Sequence, residues 1–168
     1  MIDAERGIHP PGASVARYAG VMADRIELMQ RFVDGLWPEA ERLGWSWIGF
    51  YEIAPAGDEM TLGPCRDRPA CSPIALTGMC GRSWRERVGL LIPDVHAHGD
   101  AHIVCDPRNL SEMVIPLFGV SGDASWGVFD ADSFEKDRFS RGDVERINAA
   151  LVEHGLTRAS AFERVLTL

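Results

Sequence analysis

The chain has 168 residues, 46% hydrophobic and 25% charged, which suits one soluble domain with one substantial core. Its 17 basic and 25 acidic residues give a formal charge of 17 − 25 = −8, which opposes binding to nucleic acid or an anionic membrane surface. The longest apolar runs, such as "MVIPLFGV", are too short to span a bilayer, and "MIDAERGIHPPG" has no apolar stretch of the kind a signal peptide needs, so the expected compartment is the cytoplasm.

Residues 1–13 read as an N-terminal extension and 14–168 as the domain. "HPPGAS" reads as a loop ending in a helix cap at Ser14. From Val15 to about Trp37 the apolar residues Tyr18, Val21, Met22, Ile26, Met29, Phe32 and Val33 recur at helical spacing, and Pro38 is expected to open a short second helix through Leu43. "WSWIGFYEI" reads as a central strand, "APAGDE" as a turn and "MTLG" as the start of a hairpin partner. Pro64 to Gly78 reads as irregular, and "MCGRSWRERVG" as a short helix starting near Cys80. "LLIPDV" reads as a strand, followed by a second long loop from His96 to Asn109. "EMVIPLFGV" and "SWGVFDAD" form a hairpin with its turn at Gly122 and Asp123. After the connector "SFEKDRFS", Ser140 and Asp143 give a capping-box start to a helix with Val144, Ile147, Leu151 and Val152 on one face. The predicted fold is α+β: an antiparallel sheet with the N- and C-terminal helices on one face.

Three of the four cysteines, Cys71, Cys80 and Cys105, lie among loop-forming residues, and none forms a C-x-x-C pair. In a reducing compartment, several loop thiols point to redox chemistry or metal binding rather than cross-links. Long loops in a compact domain are usually functional. Cys65, in the hairpin, is expected to be structural. Cys71, Cys80, His96, His98, His102 and Cys105 could bind zinc, but the spacings C-x8-C and H-x2-C match no common zinc pattern. His9 and His154 are expected on the surface, as are His96 and His98 in their loop.

Asp130 and Asp132, two apart, share a strand face, while Phe129 and Ala131 face the other way. Glu112 starts the partner strand. Three clustered carboxylates repel one another, and at least one should hold its proton more tightly than usual. Such a cluster suits binding an ammonium group and donating a proton. Trp47 and Tyr51 share a face of the first strand, with Gly49 between them leaving room for a slot.

These segments resemble the free methionine-(R)-sulfoxide reductase family, single GAF domains. The resemblance runs from about Trp45 to Leu151 and is carried in order by "WSWIGFY", "LGPCRDRPAC", "GMCG", "PDVHAHGDAHIVCD", "SEMVIPLF" and "GVFDADS". The loop between Cys71 and Cys80 is one residue shorter than the family's, and the loop before Cys105 one residue longer. The resemblance implies that Cys105 is the nucleophile, Cys71 the main resolving thiol and Cys80 a further exchange partner. It implies that Glu112, Asp130 and Asp132 bind the polar end of methionine sulfoxide and that Trp47 and Tyr51 line the pocket. Thioredoxin or a similar dithiol is the implied reductant, no cofactor is implied, and a homodimer is allowed. In this chemistry a thiolate attacks the sulfoxide sulfur, and the sulfenic acid so formed becomes a disulfide. His102 could favour a thiolate at Cys105, whereas an inward Asp106 would oppose it. Two rival readings remain open. One is a non-catalytic GAF sensory module, against which weighs the absence of an output segment after the last helix. The other is a zinc-bound structural module.

Overall fold

A computed structural model describes residues 11–101, 105–119, 124–158 and 164–168. The chain first forms one long helix, α1 (Pro11–Arg42). It starts at Pro11, ahead of the cap expected at Ser14, and it runs through Pro38 instead of restarting there. A proline forfeits one backbone hydrogen bond in a helix interior. Here only one further turn follows, and the fully buried Ala40 ties that turn to the core. Along the expected stripe, Met29, Phe32 and Val33 are buried, whereas Ile26 is exposed.

Strands β1 (Trp45–Ile53) and β2 (Glu59–Arg66) form the expected hairpin. β2 extends further than expected, taking in Pro64 and Cys65, and a two-residue β3 (Ile74–Ala75) pairs with it. Helix α2 (Met79–Glu86) begins at Gly78, and Cys80 is therefore a helical, buried residue rather than a loop thiol. A Cβ on Gly81 would stand 2.2 Å from the Leu76 carbonyl oxygen, so glycine lets the first turn of α2 press onto the preceding loop. β4 (Gly89–Ile92) follows, then a 3-10 segment (Val95–Ala101) inside the stretch expected to be plain loop. β5 (Ser111–Phe118) and β6 (Ser125–Ser133) pair as predicted; their turn at Gly122 and Asp123 lies outside the described residues.

α3 (Arg141–Glu153) begins at Ser140. Its hydroxyl accepts the Asp143 N–H while the Asp143 carboxylate accepts the Ser140 N–H, the reciprocal cap read from the sequence. A further strand, β7 (Val165–Thr167), was not foreseen; it pairs parallel to β4.

The sheet order is β3-β2-β1-β6-β5-β4-β7, antiparallel except at the β4–β7 pair. Period-two alternation splits its side chains between two cores. On one face, Ile48, Phe50, Met113, Ile115, Phe129 and Ala131 pack against α1 and α3, which therefore share a face as expected. Phe32, Phe50 and Phe129 meet edge-on there, with centroids 5.4 to 5.8 Å apart. The opposite face carries Trp47, Tyr51, Val114 and Val128, covered by Met79 and Cys80 of α2 and by the cysteine-bearing loops. The α+β architecture stands, with a mixed rather than wholly antiparallel sheet.

Candidate functional site

Strand register assembles the site on the second face. Trp47 of β1 pairs with Asp132 of β6, and Asp132 pairs with Glu112 of β5, so the three stand in one row across the sheet. The next row is Gly49, Asp130 and Val114. A cleft of about 490 Å³, counting the open space at its mouth, rises from these rows. Trp47, Tyr51, Cys80, Cys105, Glu112, Asp130 and Asp132 line it, which brings seven of the eight sequence-derived candidates together. The eighth, Cys71, packs beside it with Trp47 and Tyr51.

The acids are placed where charge is costly. Glu112 is 4% and Asp130 6% exposed, and Asp132 is half-buried. Burial, then the Glu112 and Asp132 carboxylates, push Asp130 well above the usual carboxylate range. Asp132 is raised by burial, then by Glu112 and Asp106, with Arg68 opposing. This is the tightened proton binding expected of the cluster. Asp130 Oδ2 accepts from the Cys80 thiol at 3.6 Å, while Oδ1 has no hydrogen-bond partner among the described residues. The Cys80 thiol is itself raised well above its ordinary value, first by burial and then by Asp130, Glu112 and Asp132. Cys80 is thus a neutral thiol under the acids.

All four thiols are free. Cys105 stands at the cleft mouth, and Cys71 is half-buried. Cys71 lies near enough to Cys105 for its thiol to tighten the Cys105 proton and for its backbone N–H to loosen it. Desolvation, then the neighbouring Cys71 thiol, push the Cys105 pKa up to about 12, with Asp130 adding to the rise. Resting Cys105 is therefore protonated. His102, the sequence's candidate activator, lies outside the described residues, as does His9. Cys65 is half-buried in β2, its sulfur 3.5 Å from the Arg68 carbonyl.

Trp47 and Tyr51 do more than line the cleft. The Trp47 indole N–H donates to the Arg68 carbonyl at 2.8 Å, and the Tyr51 hydroxyl donates to the Cys71 carbonyl at 2.9 Å. Both aromatics thereby pin the loop that carries Cys71. Their rings lie 6.0 Å apart, tilted by 34°. The slot expected at Gly49 is not there: a Cβ on Gly49 would fall 2.3 Å from the Trp47 ring and 2.7 Å from Cys65 Cβ. Gly49 instead lets the indole lie down over β1.

Four further residues belong to the site. Asp106 lines the cleft beside Cys105 and is gripped from both sides, by Arg108 Nη2 at 2.8 Å and by Arg68 Nη2 at 2.5 Å. Hydrogen bonds from Arg108, with Arg68 assisting, hold its carboxyl well below the usual range, so its charge is neutralised locally rather than aimed at Cys105. Both guanidinium groups also lie near the Phe134 ring. The fourth, Asn109, is 5% exposed, lines the cleft and accepts the Ser46 hydroxyl on Oδ1 at 2.9 Å. None of these carried a sequence signal beyond its nearness to Cys71 or Cys105.

Among the described residues, the donors near enough to share one cation are Cys80, Glu112 and Asp130, within 4.8 Å of one another. Among its described members, the histidine–thiol set weighed from the sequence does not gather at one point: His96 is exposed and His98 half-buried in the 3-10 segment. His154 caps α3 at the surface as expected. No helix among the described residues is long and apolar enough to cross a membrane.

A seven-stranded sheet with helices on one face and a loop-covered, thiol-bearing acidic cleft on the other defines a GAF domain. No protein-family model matches the chain. It is 31% identical over 112 residues to GAF domain-containing protein A of Dictyostelium discoideum, covering 66% of this chain and 68% of that one. The free methionine-R-sulfoxide reductase of Neisseria meningitidis, solved in complex with its substrate, superposes with a TM-score of 0.69 at 29% identity, over 92% of this chain and 94% of that one. The reduced form of fRMsr of Staphylococcus aureus superposes with a TM-score of 0.60 at 30% identity, over 83% and 92% of the two chains. The chain belongs to the free methionine-R-sulfoxide reductase family of GAF-domain proteins. The matched stretches span between 56% and 68% of the length of the curated relatives.

Proposed function

We propose that this protein reduces free methionine-(R)-sulfoxide to methionine in the cytoplasm, with Cys105 as nucleophile, Cys71 as resolving thiol and thioredoxin or a similar dithiol as reductant. The observation that carries this reading is Cys105 in a cleft floored by three carboxylates, with Cys71 packed beside that cleft. Cys105 attacks the sulfoxide sulfur. The oxygen then passes to the Cys105 sulfur as the substrate S–O bond and the transient S–S bond break, so methionine departs and Cys105 is left as a sulfenic acid. Cys71 then attacks that sulfur, the oxygen leaves as water, and a Cys71–Cys105 disulfide forms. A dithiol supplies the two electrons and two protons that restore both thiols.

The buried acids serve in two protonation states. A neutral Asp130 or Asp132 donates a hydrogen bond or proton to the sulfoxide oxygen as negative charge builds there. A remaining carboxylate pairs with the substrate ammonium. That ammonium brings positive charge into a site where desolvation, Cys71 and Asp130 hold Cys105 protonated, so substrate binding itself favours the thiolate. Cys80, neutral and buried beneath the acids, is a later exchange partner rather than a first attacker.

The test is turnover coupled to thioredoxin on free methionine-(R)-sulfoxide, its S epimer and the N-acetylated R form. Cys105→Ser should abolish turnover. N-acetylation removes the ammonium and costs about 2–5 kcal/mol in a desolvated site, roughly 30-fold or more in kcat/KM. A Cys105→Ser enzyme near the wild-type rate would sink the mechanism. Equal rates on free and acetylated substrate would sink the role of the acids.

A further inference from the structure

A free amino acid carrying a sulfoxide presents an ammonium, a carboxylate and a neutral acceptor oxygen. The cleft's acids suit the first and repel the second, so the carboxylate needs a donor of its own. The described side chains around the cleft leave few. The Trp47 N–H is committed to the Arg68 carbonyl, and the Tyr51 hydroxyl to the Cys71 carbonyl. The Cys80 thiol donates to Asp130. The guanidinium groups of Arg68 and Arg108 turn to Asp106, and neither residue lines the cleft.

Asn109 differs from all of these. The Ser46 hydroxyl fixes its amide oxygen at 2.9 Å, which sets the amide's orientation. Its Nδ2 then carries two hydrogens with no acceptor among the described residues, on a residue that lines the cleft. The Asn109 backbone N–H closes a turn onto the Asp106 carbonyl at 3.0 Å. Cys105, four residues before it, and Glu112, three residues after it, line the same cleft. A donor held there, beside the ammonium site but itself uncharged, is what a zwitterion requires.

Building on the reading above, we propose that Asn109 receives the α-carboxylate of the substrate through Nδ2–H and so helps select free amino acids. The experiment crosses enzyme variants with substrate variants. Asn109→Asp keeps the shape and removes the donor, and Asn109→Leu removes it without adding charge. Each is assayed with methionine-(R)-sulfoxide and with its carboxamide, which lacks the anionic carboxylate. KM for the free acid should rise about 10- to 100-fold in Asn109→Leu, the size of a lost hydrogen bond to a charged group, with kcat little changed. The carboxamide should lose less than about 3-fold, and Asn109→Asp should exceed Asn109→Leu on the free acid alone. Calorimetric binding of methionine and methioninamide gives the same comparison without turnover. It therefore separates failure of this assignment from failure of the reductase reading. Equal losses on acid and amide in Asn109→Leu, or no loss on either, would overturn the assignment.

Discussion

Asp130→Asn should make the protein more stable and less active at once. Asp130 is 6% exposed, one of its oxygens has no hydrogen-bond partner among the described residues, and the other meets only a thiol at 3.6 Å. Two carboxylates share its face of the sheet. An asparagine of the same shape carries no charge to desolvate or repel. Leaving a buried polar group unsatisfied costs about 1–3 kcal/mol, more when it is charged, so relief of that order is expected at pH 7. A gain of this size raises Tm by about 2–12 °C in a chain of this length. The sign follows from linkage. The folded state holds the Asp130 proton more tightly than the unfolded chain, whose carboxyl titrates near ~3.9. Below that pH both states carry a neutral carboxyl, and variant and wild type melt alike. As pH rises the wild type forfeits stability until the folded-state carboxyl has ionised, while the asparagine enzyme does not. Thermal melts across pH 3 to 8 should therefore show curves that meet at the acid end and separate toward neutrality. Activity should fall at least about tenfold, because an amide can neither give a proton to the sulfoxide oxygen nor pair as a charge with the ammonium. A variant less stable than wild type at pH 7, or a stability gap independent of pH, would refute the reasoning.

In the substrate-free enzyme, alkylation of Cys105 by iodoacetamide should climb about tenfold per pH unit up to pH 10 without levelling off, because its pKa is pushed up to about 12; a plateau near neutrality would mean an activated resting thiolate. Arg68→Ala should slow closure of the Cys71–Cys105 disulfide by about 2- to 5-fold, since a part-exposed ion pair worth ~0.5–1 kcal/mol joins the loops carrying the two thiols. Methionine release in the first turnover should be unchanged, and dimedone should trap more sulfenic acid; closure at the wild-type rate would show the tether to be idle. Ser140→Ala removes the reciprocal cap of α3 and should cost about 1 kcal/mol, read as a Tm lower by about 2–4 °C, with turnover unaffected.

The site was legible in the sequence wherever strand periodicity did the placing. Asp130 and Asp132 at i and i+2, with Glu112 opposite, had to share a face once the hairpin was read correctly, and Phe129 and Ala131 had to enter the other core. Features set by tertiary contact were not legible. The short helix at "MCGRSWRERVG" was legible, but not the burial of Cys80 within it, because that depends on Gly81 letting α2 press onto Leu76, five residues away. Gly49 looked like empty space because no local rule shows a tryptophan two residues earlier folding over it. Asp106 and Asn109 read as turn residues, since their partners Arg68 and Ser46 are 38 and 63 residues away. β7 is three residues long and pairs in parallel, too short for an alternation to register.

The sheet's two margins bear on how copies of this chain can meet. At one margin stands β3, with two residues, and at the other β7, with three. At the β7 margin a ladder of that length offers another strand too few N–H and C=O groups to hold it, a common protection against fibril growth and strand exchange. At the other margin β3 covers only Glu59 and Met60 of β2, and the Ser72 hydroxyl takes the Leu62 N–H beyond them. A partner that meets the β7 end must therefore bind through side-chain surfaces rather than by lengthening the sheet. The long inner strands that hold the acids in register stay shielded from the ladder-to-ladder association that would pull them apart.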